Sequence, residues 1–300
     1  MKIGFSSLVC PGWDLDKIVA KAAEYGFDGV ELHGICGEDP SPWEALLATD
    51  PTGIGQLFRQ HNVELVCLST SATLDACSRR TVEQQIAVVG ECLATAAKVG
   101  CPFVRIPAGQ VQEFDNQRFV RSRVADAVRE LVPLAVQYNV TLLIENGGDL
   151  ADSESVWFIA DAAAHPAVQI CWNQCHALTV GERSTVSIPR LASKIGLVHV
   201  CDAEFDGQGL LTQYAIPGQG YVEIAAEIDL LKGLLYDGYL VFEWPKPWTQ
   251  SLPTPDDILP KVAQFLRDRI AAEQNVLTAY KTDKNRPRLA ARSPVASSGS

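Results

Sequence analysis

The stretch TLLIENGGDLADSESVWFIADAAAHPAVQICWN, residues 141–173, contains one complete turn of the repeat that builds this chain. It opens on a short apolar run, TLLIE, that ends at Glu145. An amphipathic segment around SVWFIADAAA follows, and a second short run, VQICWN, ends at Asn173. Short runs rich in β-branched and apolar side chains read as buried strands, and the segment between them reads as a helix. Strand, helix and strand in succession imply a parallel pair joined by a helical crossover.

The same unit recurs on both sides of this stretch. KIGFS is followed by LDKIVAKAAEYG, DGVELH by a helix near IGQLFRQH, and VELVCLS by TVEQQIAVVGECLATAAKVG. PFVRIP precedes the amphipathic residues 117–138, and VQICWN precedes SIPRLASKIG. LVHV precedes VEIAAEIDLLKGLLYDG, and YLVFE precedes DDILPKVAQFLRDRIAAE. Eight such units in about 250 residues have the count and size of a closed (β/α)8 TIM barrel. The expectation is therefore an α/β fold with one barrel domain over residues 1–273. An open doubly wound sheet is the weaker alternative, because no G-x-G-x-x-G follows the first strand. Gly26, Gly100, Gly196 and Gly238 stand where helices must stop, a place that favours the left-handed conformation. Residues 274–300 are basic, contain Pro and Ser and lack apolar periodicity, so a flexible, loosely packed tail is expected there.

Composition excludes several classes. The formal charge of −11 argues against nucleic acid as a partner, since such a surface needs clustered Lys and Arg. No apolar run approaches the ~18 residues of a membrane-spanning helix. The start MKIGFSSLVCPGW reads as a first strand rather than a secretion signal. The nine cysteines have no small-scaffold spacing, and several lie in apolar runs, as expected of reduced, buried thiols in a cytoplasmic protein. Cys171 and Cys175 bracket WNQ but do not form a C-x-x-C pair.

Four late strands end in polar residues: Glu145, Asn173, His199 within GLVHV, and Glu243. Barrel active sites lie at the C-terminal ends of the strands. Side chains alternate along a strand, so Leu143 and Glu145 share one face, as do Cys171 and Asn173, Leu197 and His199, and Val241 and Glu243. The four polar ends therefore converge on one rim. By the same parity the first half contributes Glu31, His33, Ser69 and Arg105. Taken singly, a strand-end Glu reads as a solvated rim residue and a strand His as a structural one; four in one parity read as a site. Two carboxylates, an imidazole and an amide buried together would cost several kcal/mol without a partner, and a divalent cation removes that cost. Oxygen donors with one imidazole suit Mn²⁺, Mg²⁺ or Co²⁺, and Zn²⁺ is admissible.

Over residues 1–270 the chain resembles the xylose-isomerase-like TIM barrel superfamily of sugar isomerases and epimerases, which includes tagatose/psicose epimerases, inosose dehydratases and endonuclease IV. VTLLIENGGD is similar to the segment carrying the first metal-binding glutamate, here Glu145. VQICWNQCH resembles a D-x-x-H segment, with Asn173 in the aspartate position and His176 matching the histidine. LVHVCDAE resembles H-x-K-D, with His199 and Asp202 in place and Cys201 instead of the lysine. IPGQGYV is similar to a P-G-x-G loop, and YLVFEWPKPW to the last glutamate segment, ending at Glu243.

The resemblance implies Glu145, Asn173, His199 and Glu243 as metal ligands, with Glu145 and Glu243 as the acid/base pair. It implies His176 as a substrate contact, and Arg105, Lys246, Trp248 and His33 are further candidates. Asn173 brings no charge, and the loss of the lysine removes a cation. The glycines of DGQG and PGQG also offer backbone amides to a phosphate, or are simple turns. The leading expectation is a metal-dependent isomerase or epimerase of a small sugar or keto-polyol, by proton transfer next to a carbonyl. A lyase or dehydratase acting through an enediolate on a related sugar or cyclitol, and a non-catalytic carbohydrate- or partner-binding barrel with a degraded metal site, stay open. A repair nuclease is disfavoured by the acidic charge and by only five histidines. The expected partner is a small carbohydrate, and a homo-oligomer stays open.

Overall fold

The computed structural model describes residues 1–35, 47, 49–244 and 252–274. The strands are β1 (Lys2–Ser6), β2 (Gly29–Ile35), β3 (Glu64–Thr70), β4 (Phe103–Pro107), β5 (Thr141–Glu145), β6 (Val168–Asn173), β7 (Ile195–Val200), β8 (Asp202–Phe205), β9 (Leu211–Ala215) and β10 (Tyr239–Phe242). All but β8 and β9 form a closed barrel in the order β1-β10-β7-β6-β5-β4-β3-β2. Every ladder in the barrel is parallel. The ring closes through β1 and β10, from Lys2 opposite Tyr239 to Phe5 opposite Phe242. The two remaining strands form an antiparallel hairpin after β7. The expected TIM barrel is therefore the observed fold.

The α-helices among the described residues are α1 (Leu15–Tyr25), α2 (Pro51–Gln60), α3 (Arg79–Val99), α4 (Gln117–Tyr138), α5 (Ser153–Ala163), α6 (Gln174–Thr179), α7 (Ser184–Leu191), α8 (Ile224–Gly233) and α9 (Pro255–Ala271). Short polar side chains start many of them. Asp14, Ser78, Asn116 and Asp152 each accept a backbone N–H of the first turn, worth about 1 kcal/mol per cap. Gly26 and Gly100 end α1 and α3 with φ of 78° and 81°.

Gly196 and Gly238 do something else. Gly196 lies inside β7, where a β-carbon would press on Gln169 Oε1 and come within 2.8 Å of Leu143 Cδ2. Gly238 precedes β10, and a β-carbon there would meet the Tyr236 hydroxyl at 2.5 Å and its ring at 2.6 Å. Both are glycine because neighbours crowd them. Further left-handed stops fall on Asn139 after α4, Ala164 after α5 and Leu235 after α8.

Strand parity divides the core into two layers. Cys67, Leu143, Cys171, Leu197 and Val241 pack inside the barrel with Val66 and Tyr239. Leu142, Ile144, Ile170, Trp172, Val198, Val200, Leu240 and Phe242 face the helices and belong to the larger core. Burying each such side chain contributes roughly 1.5–3 kcal/mol. With the apolar layers filled, the polar ends of β5, β6, β7 and the residue after β10 are left at one rim. No helix among the described residues is long and apolar enough to cross a membrane. Lys246, Trp248 and the tail from residue 275 lie outside the described residues.

Candidate metal centre at the barrel rim

His199 sits at the middle of the cluster, fully enclosed. Its Nδ1 lies 2.8 Å from Glu145 Oε1 and its Nε2 2.7 Å from Glu31 Oε2. Nδ1 is also 3.5 Å from Glu243 Oε2. Burial opposes a charge on this ring, but Cys171, Glu243, Glu31 and Glu145 outweigh it and push the imidazole well above its ordinary range. Each ring nitrogen has a carboxylate oxygen within hydrogen-bond distance, the arrangement that favours a proton on the ring.

The carboxyl groups differ in their tendencies. Burial works against ionising Glu145, yet Arg105 and His199 hold it well below the usual carboxylate range. The Arg105 guanidinium pairs with Glu145 Oε2 and donates to the Thr70 carbonyl at 2.9 Å. Burial also opposes ionisation of Glu31, and His199 brings it down. Glu243 is pushed the other way, first by burial and then by Glu145 and Glu31, with His199 a partial offset. Three buried carboxyls face one imidazole and one guanidinium. Glu243 is the carboxyl that is raised, because a third buried anion would lack a cation of its own.

Asn173 is held by four sets of bonds. Its Oδ1 accepts from the N–H of Cys175 at 3.1 Å and of His176 at 3.4 Å, and so caps α6. The Cys201 thiol donates to the same oxygen at 3.6 Å. Its Nδ2 donates to Glu145 Oε1 at 3.2 Å and to Glu243 Oε1 at 2.8 Å. Asn146 grips its backbone, accepting its N–H at 2.7 Å and donating to its C=O at 2.9 Å. The amide orientation is forced: turned over, its NH₂ would face two backbone N–H donors. The oxygen expected to bind an ion is thus spent on the helix, and the NH₂ that faces the cluster has no lone pair to offer.

The donor chemistry therefore fits a divalent ion at three of the four expected residues. Glu145 and Glu243 both approach His199 Nδ1, at 2.8 and 3.5 Å, and Glu31 lies at Nε2, where a carboxylate would orient the ring if the histidine held a metal. Two groups of ligand atoms lie within 4.8 Å of one another: Glu145 with Cys171 and His199, and Glu31 with His199 and Glu243. Asn173 does not fit as the fourth.

The remaining candidates separate. His176 donates from Nδ1 to the Asn146 carbonyl at 2.7 Å and lies 3.9 Å from Glu145 Oε1, partly open to solvent. His33 is half-buried at the same rim, and burial together with Arg105 lowers it to about 4, so its ring is neutral. Arg105 is bound to Glu145 and Thr70 rather than projecting free. Glu31 and Asn146 carry more of the site than their sequence positions suggest. The only signal for Glu31 is its inward parity, and for Asn146 its place directly after Glu145.

The PGQG loop is a self-filled nest. The N–H groups of Gly218, Gly220 and Val222 donate to the Asp202 carboxylate at 2.8–2.9 Å. The amides that could have held a phosphate are taken by the chain's own carboxylate. DGQG is the turn of the β8–β9 hairpin, closed by Asp206 on the N–H groups of Gln208 and Leu210.

A closed eight-stranded barrel with a buried acid–imidazole–amide cluster at the strand ends defines a (β/α)8 protein with a polar rim site. Residues 19–269 match the family model described as Xylose isomerase-like TIM barrel, and the chain belongs to that family. An uncharacterized protein of Mycobacterium leprae (strain TN) is 23% identical over 286 residues, covering 89% of this chain and 97% of that protein. Among solved structures, IolI with a bound zinc atom superposes with a TM-score of 0.78 at 18% identity, over 90% of this chain and 98% of that one. L-ribulose 3-epimerase gives 0.75 at 16% identity, over 95% and 99%. The 3-keto-D-glucoside 4-epimerase YcjR of E. coli gives 0.73 at 16% identity, over 89% and 99%. At these identities the likeness is one of fold.

Proposed function

We propose that this chain is an isomerase or epimerase that moves a proton at a carbon next to a carbonyl in a small sugar or keto-polyol. The observation that carries this reading is the pair Glu145 and Glu243. Both carboxyls bond to the one amide nitrogen of Asn173, so they flank the same small space. Their environments push them in opposite directions, Glu145 down and Glu243 up. Two acids with opposed tendencies are the arrangement that assigns a base and an acid at neutral pH. The similarity in fold to L-ribulose 3-epimerase and to the 3-keto-glucoside epimerase supports the reaction class.

The ionised Glu145 takes the proton from the carbon beside the carbonyl, and the C–H electron pair moves into the enediolate. Glu243 returns its own proton to the other face of that carbon, which inverts it. The two carboxyls then reset by exchange with water. Arg105 holds Glu145 ionised before the step, and His199 steadies the charge on both carboxyls. His176 and His33 offer hydrogen bonds to substrate hydroxyls from the open side. Glu145, His199 and Glu243 would hold a divalent ion, which when bound polarises the substrate carbonyl. The reduced state of the described cysteines suits a cytoplasmic setting.

The test is incubation of the purified protein with keto-sugars and keto-cyclitols in deuterium oxide. Deuterium at the carbon beside the carbonyl, without loss of water, is the expected result, and it should vanish in Glu145→Gln and in Glu243→Gln. Loss of water would make the enzyme a lyase. No exchange with any keto-substrate would leave a binding barrel.

A further inference from the structure

Cys171 lies on the inward face of β6, two residues before Asn173, and stands opposite Glu145 in the β5–β6 ladder. Its sulfur, a carboxylate oxygen of Glu145 and a ring nitrogen of His199 lie within 4.8 Å of one another, and all three residues are buried. We infer that Cys171 supplies, as a thiolate, the anionic ligand that Asn173 does not, so that a divalent ion at this centre sits on Glu145, Cys171 and His199. Glu243, 3.5 Å from His199 Nδ1, stands by to complete a four-donor set. This rests on the reading of the centre as a metal site.

Three observations point the same way. The oxygen of Asn173 is committed to the α6 cap, so the strand that would carry the fourth ligand offers nothing at its end. The next inward-facing residue down that strand is Cys171. Its sulfur reaches both Glu145 and His199, which is not true of every thiol in the layer: Cys67 has Ser69 Oγ at 3.9 Å and joins neither ligand group. Charge also balances. An aspartate at 173 would have brought one negative charge, and a thiolate at 171 restores it. As the metal binds, the S–H bond of Cys171 and the N–H bond at the ligating nitrogen of His199 break, and both protons leave to solvent. A thiolate is a soft donor, so the set prefers Zn²⁺ or Co²⁺ to Mg²⁺ or Mn²⁺. The competing role for Cys171 is that of a small apolar filler among Leu143, Leu197 and Val241. That role predicts no bond to the ion.

Cobalt distinguishes these roles, because a thiolate on Co²⁺ gives a near-ultraviolet charge-transfer band and oxygen or nitrogen donors do not. Chelator-stripped full-length protein is titrated with Co²⁺ and followed by absorption. The expected result is a charge-transfer band saturating at one equivalent, together with visible ligand-field bands. In Cys171→Ser the charge-transfer band should be lost while the ligand-field bands remain, with at least tenfold weaker binding. In Cys201→Ser the band should persist. Ligand-field bands without charge transfer in the native protein would overturn the Cys171 assignment and leave the metal site standing. A band that survives Cys171→Ser would also overturn it. No cobalt uptake at all would overturn the metal site itself. X-ray absorption at the zinc edge of the native protein reads a sulfur neighbour without any substitution, so a variant that fails to fold does not remove the test.

Discussion

One atom-level choice governs this centre: which end of the Asn173 amide faces the carboxyls. A carboxylate at this position could cap α6 with one oxygen and meet an ion with the other. The amide can do only the first, and its NH₂ ties Glu145 to Glu243. Asn173→Asp keeps the cap, since Asp and Asn cap equally well. It replaces a donor by a third acid between two others. The metal-free variant should therefore melt at a lower temperature than the native protein, because a like charge is buried without a partner. Adding Zn²⁺ or Co²⁺ should raise its midpoint more than the native one, with metal affinity at least tenfold tighter, about 1.4 kcal/mol. Thermal melts with chelator and with metal, alongside calorimetric titration, check both halves. A variant that melts like the native protein in chelator and gains nothing from metal would remove Asn173 from the account. Asn173 was visible in the sequence as a departure at a strand end. Its role as cap and bridge was not, because that depends on where the first turn of α6 and Glu243, 70 residues on, come to rest.

At the scale of the element, the β8–β9 hairpin and the loop after it are organised around Asp202. Burial pushes this carboxyl up, and the N–H groups of Gly220, Val222, Ala203 and Gly218 oppose the rise by bonding to it. Glycine is required at 220, where a β-carbon would fall against Asp202 itself and 2.9 Å from the Ala203 carbonyl. Asp202→Asn replaces one acceptor oxygen by an NH₂ that cannot accept. The loop should lose roughly 1.5–3 kcal/mol of local stability, the usual worth of a hydrogen bond to a charged group. Hydrogen exchange over residues 216–222 should quicken while the barrel strands stay protected. Unchanged exchange there would mean that the carboxylate does not organise the loop. The glycines of PGQG read in the sequence as a turn or as a phosphate nest. Both descriptions are partly right, because the amides do converge on an anion, but the anion belongs to the chain. Only the folded loop brings Asp202 to them across 16–20 residues.

For the whole molecule, stability depends on closing the ring at its narrow points. At Gly29, between β1 and β3, a β-carbon would press on Val66 Cγ2 and lie 2.9 Å from the Glu64 carbonyl and 3.0 Å from the Tyr239 ring. Gly29→Ala should cost about 1–3 kcal/mol, the range for overpacking a filled interior. Gly12→Ala is the control: nothing lies within 4 Å of a β-carbon there, so it should be neutral or gain up to about 1 kcal/mol from a less flexible unfolded chain. Urea unfolding of both variants makes the comparison. Equal stabilities would show that the ring has slack at Gly29. The sequence by itself determined the barrel, because the alternation of short apolar runs with amphipathic helices is a local pattern, and strand parity told which side chains point inward. It also placed Glu145, Asn173, His199 and Glu243 on one rim. Only the tertiary structure decided what each does there. Hydrogen-bond direction at Asn173, the pairing of Arg105 with Glu145, the seating of Glu31 behind His199 and the reach of the Cys171 sulfur all join residues distant along the chain. Their charge states follow from mutual burial, a property no single strand possesses.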